Sequence, residues 1–309
     1  MHSYFAQDPT NLKAAEKFLV DAMASTSSDL YWMALVDAAF DHGREAASCE
    51  TYRARGLNCF TSVSAQGVAQ DVPLDDLGNV APWLVELESH SRAGQRHLEA
   101  LLAHCSGRPM LSMLASRVPV ETLAARWQPL HLMHAPDKQR LLLRFADTRT
   151  LPTLAKVLDD AQWTALSEPV EHWCYVSRKG TLATIVRPTV TSGSSSPMPE
   201  GIHIAQAQLD ALVAACEPDA ALDFLADSTP EVFPQEFSPA GLHAYLEKSP
   251  FRIAALHGVE AWPDKMTLVT SALLTRGQIL DDPKLEALLS AKAWAPGNLH
   301  KALMDSGLI

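Results

Sequence analysis

The chain has 309 residues, 47% of them hydrophobic and 20% charged, with a formal net charge of −11. That length exceeds the ~100–200 residues of a usual single domain, so two lobes are expected, and the composition is that of a folded protein rather than a disordered one. The negative charge disfavours nucleic acid as a partner, because binding to phosphate is driven chiefly by Lys and Arg releasing counterions.

The opening string MHSYFAQDPTNLKAAEKFLVDAM lacks a basic stretch leading into an apolar core and a cleavage site, and no run of about 18 apolar residues occurs anywhere. A cytoplasmic chain without a membrane span is expected. Asp8 and Pro9 read as the capped start of a helix whose Leu12, Ala15, Leu19 and Met23 share one face. Short apolar runs then predict strands at about 30–36, 57–62, 83–87, 109–115, 129–134 and 140–146, with VEHWCYV and GTLATIV at 170–186 as a hairpin. Helices are predicted between them at about 92–104, 119–127 and 151–166; the second has Pro119 in its first turn and Val120, Leu123, Ala124 and Trp127 at helical spacing. The string RPTVTSGSSSPMPEG at 187–201, rich in Ser, Pro, Thr and Gly, reads as a linker.

Beyond it almost everything reads as helix. Starts are marked by Ser238 with Pro239, by Trp262 before Pro263, and by Asp282 with Pro283, and Gly277 is a plausible stop. Apolar stripes fall at Leu209, Leu212, Val213 and Cys216, at Leu242, Tyr245 and Leu246, and at Met266, Val269 and Leu273. The predicted fold is therefore α+β or α/β: a mixed-sheet lobe with flanking helices over 1–187, a linker over 188–200, and a smaller all-helical lobe over 201–309. Residues 191–309 carry 7 basic and 15 acidic groups, against 18 and 21 in 1–190, so a partner docking on the second lobe is expected to be neutral or basic at its contact.

Catalytic signatures are sparse. There is no G-x-S-x-G elbow, P-loop or G-x-G-x-x-G, and the serines at 192–196 lie in the linker. The cysteines Cys49, Cys59, Cys105, Cys174 and Cys216 are scattered without a C-x-x-C pair, which argues against a disulfide framework and a zinc site. His131 and His134 would face opposite sides of a strand, as would neighbours in the Glu171, His172, Trp173, Cys174 string, so neither set converges on a metal or a thiol base. No cofactor and no metal are expected. The most suggestive set is Asp37, Arg144, Asp147 and Arg149, since two strand-end carboxylates could share a site as acid and base. The structural reading of the same residues is the stronger: Asp37 is placed to cap a helix beginning at 38, Asp147 to fix the turn into the helix at 151, and Arg144 to satisfy a carboxylate near the sheet. Trp83 behind Pro82 reads as a core anchor.

Three strings carry a resemblance: LYWMALVDAAF at 30–40, APWLVEL at 81–87 and RLLLRFADTRTL at 140–151. Their order, with Asp37 closing the first, Pro82 and Trp83 opening the second, and Arg144, Phe145, Asp147 and Arg149 ending the third, resembles the type VI secretion effector chaperones, also called adaptors. The likeness covers about residues 29–160. The glycine and tryptophan often seen before the strand at 109–115 are missing here, while Gly277 followed by Leu280, Asp281, Asp282 and Pro283 is similar to the family's helical end. The resemblance implies a protein that is not an enzyme, with a cognate toxin effector and the spike protein of the injection machine as partners. The first lobe would keep the shared fold and the second would select the cargo, with an amphipathic helix of the effector taken into a cleft between lobes and Leu242, Tyr245 and Leu246 as candidate contacts. The alternatives are a hydrolase built on Asp37 and Asp147, or a toxin or immunity protein.

Overall fold

The computed structural model describes residues 4–41, 51–59, 80–88, 91–185 and 201–309. They divide into two compact units, one of residues 7–215 and one of residues 216–309 with the stretch up to Ala6.

The first unit holds β1 (Tyr31–Asp37), β2 (Gly56–Asn58), β3 (Pro82–Glu86), β4 (Leu111–Ser116), β5 (Leu132–His134), β6 (Arg140–Leu142), β7 (Val170–Val176), β8 (Leu182–Thr184) and β9 (Ile202–His203). Six of these form one sheet in the order β2-β3-β1-β4-β7-β8, and every neighbouring pair in it is antiparallel. Of the two predicted classes, α+β is the one found. Mixed character is confined to the small sheet β6-β5-β9, where β5 pairs with β9 in parallel. Strand β1 is buried from Trp32 to Asp37, as a continuous apolar run covered on both faces should be. Its end is set opposite β3 so that Asp37 faces Pro82. Pro82 opens β3, where a residue without an N–H is tolerated.

Helices α1 (Leu12–Ser25), α2 (Arg92–Cys105), α3 (Val120–Trp127), α4 (Leu151–Val157) and α5 (Asp160–Ser167) flank the sheets. The core gathers Trp127, Phe145, Trp163 and Trp173 around Leu35, Leu84 and Leu114. The Trp127 and Phe145 rings meet edge-on at 4.9 Å. The Trp127 indole donates to the Leu166 carbonyl at 2.7 Å, which satisfies its one polar atom inside the core.

Several predicted boundaries move. The first helix is capped by Asn11 rather than Asp8, because the Asp8 amide donates to the Arg178 carbonyl and holds that stretch against the β7–β8 turn. The run at 129–134 begins as a 3-10 turn after Pro129 and becomes strand only at Leu132. The run at 140–146 is strand only to Leu142: the Leu143 amide still donates to the His131 carbonyl at 2.8 Å, and the Asp147 amide then donates to the Arg144 carbonyl at 3.2 Å, closing a turn over 144–147. The helix expected over 151–166 is two, broken at Leu158 and restarted by a capping box of Asp159 and Gln162. The predicted linker and its serines, like Cys49, lie outside the described residues. Residues 201–215, expected in the second lobe, belong to the first unit, because Leu209 and Leu212 pack on its core and Gln208 donates to the Val157 carbonyl.

His131, in the 3-10 turn, is buried and stacks on Phe145 at 4.9 Å. Burial pushes its imidazole down to about 3. Between that value and the ordinary 6.5, the unfolded chain takes a proton that the folded one refuses, so stability falls as pH drops through this window. His131→Phe keeps the stacked ring and removes the titration. Urea unfolding at pH 7 and pH 5 should show the variant losing less stability than the parent, by up to ~1.4 kcal/mol per pH unit.

The second unit, helical as expected, contains the end of α6 (Gln206–Ser228), then α7 (Pro239–Lys248), α8 (Pro250–His257), α9 (Trp262–Leu274), α10 (Pro283–Ala291) and α11 (Leu299–Asp305). Ser238 and Asp282 cap α7 and α10 before proline, as the sequence indicates. Trp262 is itself the first residue of α9, with Ala261 at the cap and Pro263 in the first turn. Val213 and Cys216 on α6 are exposed rather than part of a buried stripe. Asp264 is buried in the first turn of α9. Its carboxylate accepts from the Trp294 indole at 3.0 Å, the Gly297 amide at 2.8 Å and the Leu299 amide at 2.8 Å, tying the start of α11 to α9.

Candidate functional site

The structure brings the three strings to one place. At the end of β1, Asp37 is 2% exposed; its Oδ1 accepts from the Ala39 amide at 3.1 Å and its Oδ2 from Arg144 Nη2 at 2.8 Å. Arg144 comes from the turn after β6 and reaches toward the second carboxylate as well, with Nη2 4.0 Å from Asp147 Oδ2. Arg149 closes the set: its backbone amide and Nε donate to Asp147 Oδ1 at 2.9 and 3.1 Å, and Nη2 to Asp147 Oδ2 at 2.9 Å. The two guanidinium groups sit over the Phe40 ring at 4.9 and 5.0 Å, a placement that suits the weakly hydrated arginine cation. The Arg108 guanidinium donates to the Phe40 carbonyl.

Burial raises the Asp37 carboxyl, Arg144 lowers it, and Asp147 raises it again. Asp37 and Asp147 are thus neighbours bridged by one arginine, as two carboxylates of an acid and base pair could be. Each oxygen of both, however, already accepts a hydrogen bond from an arginine or a backbone amide. The group is suited to locking the end of β1 to the turn that starts α4.

The other motif residues fall nearby or in the core. Phe145 is fully buried. Pro82 is opposite Asp37. Trp83 is half-buried, edge-on to Tyr52 at 5.9 Å, with the Arg53 guanidinium 5.9 Å from its ring. Of the candidate effector contacts, Leu242 and Leu246 are buried core residues of the second unit, while Tyr245 is half-buried. The stripe faces inward because Leu222, Phe251 and Val269 cover it. The Cys174 thiol is buried, which pushes its pKa up, and it lies 3.5 Å from the Thr184 hydroxyl, so it is a poor nucleophile.

One polar cluster was not anticipated. Tyr52 Oη donates to Asp41 Oδ2 at 2.6 Å, and His104 Nε2 lies 3.0 and 3.1 Å from the two Asp41 oxygens. Burial, and then the bond to Asp41, push the Tyr52 phenol well above its ordinary value. Nothing in the spacing of these residues marks them, since Tyr52 lies 11 residues and His104 63 residues beyond Asp41. Among the described residues no group of His, Cys, Asp and Glu has the arrangement of a metal site, and no helix is long and apolar enough to cross a membrane.

The bridged carboxylates and four of the six strands of the large sheet fall within a stretch that resembles a domain family, while β7 and β8 lie beyond it. The model of a domain of unknown function, DUF4123, matches residues 31–165, from the start of β1 into α5. A search of curated proteins gave no match, and neither did a search of solved structures.

Proposed function

We propose that the chain is a non-enzymatic adaptor of type VI secretion that binds one cognate toxin effector and loads it onto the spike protein of the injection machine. The observation that carries the proposal is the convergence of the three strings. Asp37, Arg144, Asp147 and Arg149 are used up on one another and on backbone amides. The residues behind the resemblance therefore maintain a scaffold, which is what an adaptor's shared domain needs. A hydrolase built on Asp37 and Asp147 would need at least one carboxylate turned toward substrate. The DUF4123 match spans the same scaffold, leaving the helical second unit as the part able to vary with the cargo.

The proposal is tested by co-expressing the chain with the proteins encoded beside it, followed by size-exclusion chromatography with mass determination. A stoichiometric complex with a toxin-like neighbour is expected. Elution of the chain alone, with its neighbours' solubility unchanged, would count against it. Toxicity of the chain expressed by itself, or protection from a toxin without delivery, would favour the toxin or immunity alternative instead.

A further inference from the structure

Residues 216–309 carry 7 basic and 13 acidic side chains, yet three of the seven, Lys248, Arg252 and Arg276, line a single open groove of about 500 Å³. All three are exposed. None of the three forms an ion pair among the described residues, whereas Lys265 in the same unit is paired with Glu217. Asp281 is the one carboxylate in the lining. The groove is thus a local cationic patch on an acidic unit.

The backbone spends free energy to present it. Lys248 is the last residue of α7, and Arg252 and Leu256 lie four apart on α8, hence on one face. Arg276 sits at φ +51°, in the left-handed region that a non-glycine residue enters at a cost of about 1 kcal/mol or more. Gly277 follows at φ +85° and its amide donates to the Ala272 carbonyl at 2.7 Å, which ends α9 and turns Arg276 outward. A Cβ at position 277 would lie 3.0 Å from Tyr245 Oη, so the glycine also makes room for that phenol. Tyr245 Oη is buried and has no hydrogen-bond partner among the described residues, while its ring stacks on Phe237 at 5.3 Å. Leu256, in the same lining, is 76% exposed.

We infer that this groove binds a short acidic segment of a partner protein, with Asp or Glu side chains against Lys248, Arg252 and Arg276 and an apolar side chain against Leu256. Charges act within roughly 8 Å at physiological ionic strength, so the three local cations outweigh the acidic surface further away. A short segment can confine its carboxylates to the patch. A nucleic acid strand would extend over the surrounding acidic surface and be repelled. The Tyr245 hydroxyl supplies a donor for a carboxylate or a peptide carbonyl, and the two guanidinium groups can each hold a carboxylate in bidentate fashion. This assignment revises the expectation from overall charge that a partner of this region is neutral or basic. It goes beyond the adaptor proposal and stands or falls separately.

The test is selection of a random peptide library, about 12 residues long, on the immobilised full chain, followed by anisotropy titration of the enriched peptides in solution. Enriched sequences should combine clustered Asp or Glu with an apolar residue, and their binding should weaken as salt rises. The double variant Arg252→Glu with Arg276→Glu should reduce affinity about tenfold or more, and Tyr245→Phe should reduce it several-fold. The charge-matched control Lys284→Glu with Lys301→Glu, on exposed positions of the same unit outside the groove, should change it by less than about twofold. Failure to enrich any peptide, enrichment of basic or neutral ones, an equal effect of the control pair, or tighter groove-dependent binding of a single-stranded oligonucleotide would each overturn the assignment.

Discussion

Arg144→Ala should destabilise the first unit by about 2–3 kcal/mol at neutral pH, and the loss should shrink as pH falls. Removing one partner of a buried ion pair typically costs about 3–5 kcal/mol, because the other charge is left desolvated. Arg144 is 40% exposed, so solvent screening reduces the figure here. The buried charge left behind is Asp37, which would keep only its bond from the Ala39 amide. Burial and Asp147 already raise the Asp37 carboxyl, and losing Arg144 would raise it further above the ordinary 3.8. Above 3.8 the folded variant would then hold a proton that its unfolded chain has released, so its stability falls as pH rises and recovers toward acid. Urea unfolding of the parent and the variant across pH 4.5–7.5 checks this. A penalty independent of pH would mean that Arg144 acts through packing on Phe40 alone. Asp37→Asn gives the complementary control, since it removes the charge while keeping the shape.

Asp264→Ala should have the larger effect, about 3–5 kcal/mol, concentrated in the second unit. The carboxylate is the acceptor for three N–H groups, from Trp294, Gly297 and Leu299. A buried donor left without a partner costs about 1–3 kcal/mol, and bonds to a charged acceptor lie at the strong end. Asp264→Asn should lose less, because the amide oxygen still accepts while the amide nitrogen faces a donor. Hydrogen exchange followed by mass spectrometry gives the local reading: residues 294–305 should exchange faster in Asp264→Ala while the sheet of the first unit is unchanged. Uniform loss of protection across the chain would show that Asp264 does not act as a local tie.

Much of the architecture was legible because local chemistry specifies it. Pro119, Ser238 with Pro239, and Asp282 with Pro283 stand at real helix starts, since a fixed φ and a capping oxygen act within one turn. The buried β1 announced itself by its unbroken apolar run. The segment at 140–146 did not, because its apolar run says strand while a backbone bond from the Asp147 amide to the Arg144 carbonyl folds its second half into a turn.

The site residues divide along the same line. That Asp37 and Asp147 would accept from backbone amides just after them could be anticipated from their places at element ends. Partners that meet only in three dimensions could not. Asp41 and His104 are 63 residues apart. The Asp264 ligands lie 30 to 35 residues on. Apolar stripes carry the least information about binding: Leu242 and Leu246 are core, whereas Leu256, equally at home in a helical pattern, is exposed beside Arg252. Helical periodicity shows that a face is apolar and is silent on whether another helix covers it. The cationic groove was hidden for a further reason, since net charge averages over a surface on which three cations have been gathered into one place.

The most direct measurement of the adaptor role mixes the purified chain with the toxin and the spike encoded beside it, in pairs and all together, and determines the mass of each complex. A ternary complex should form, and the toxin should associate with the spike only when the chain is present. Equal binding of toxin to spike in the absence of the chain would contradict the loading role.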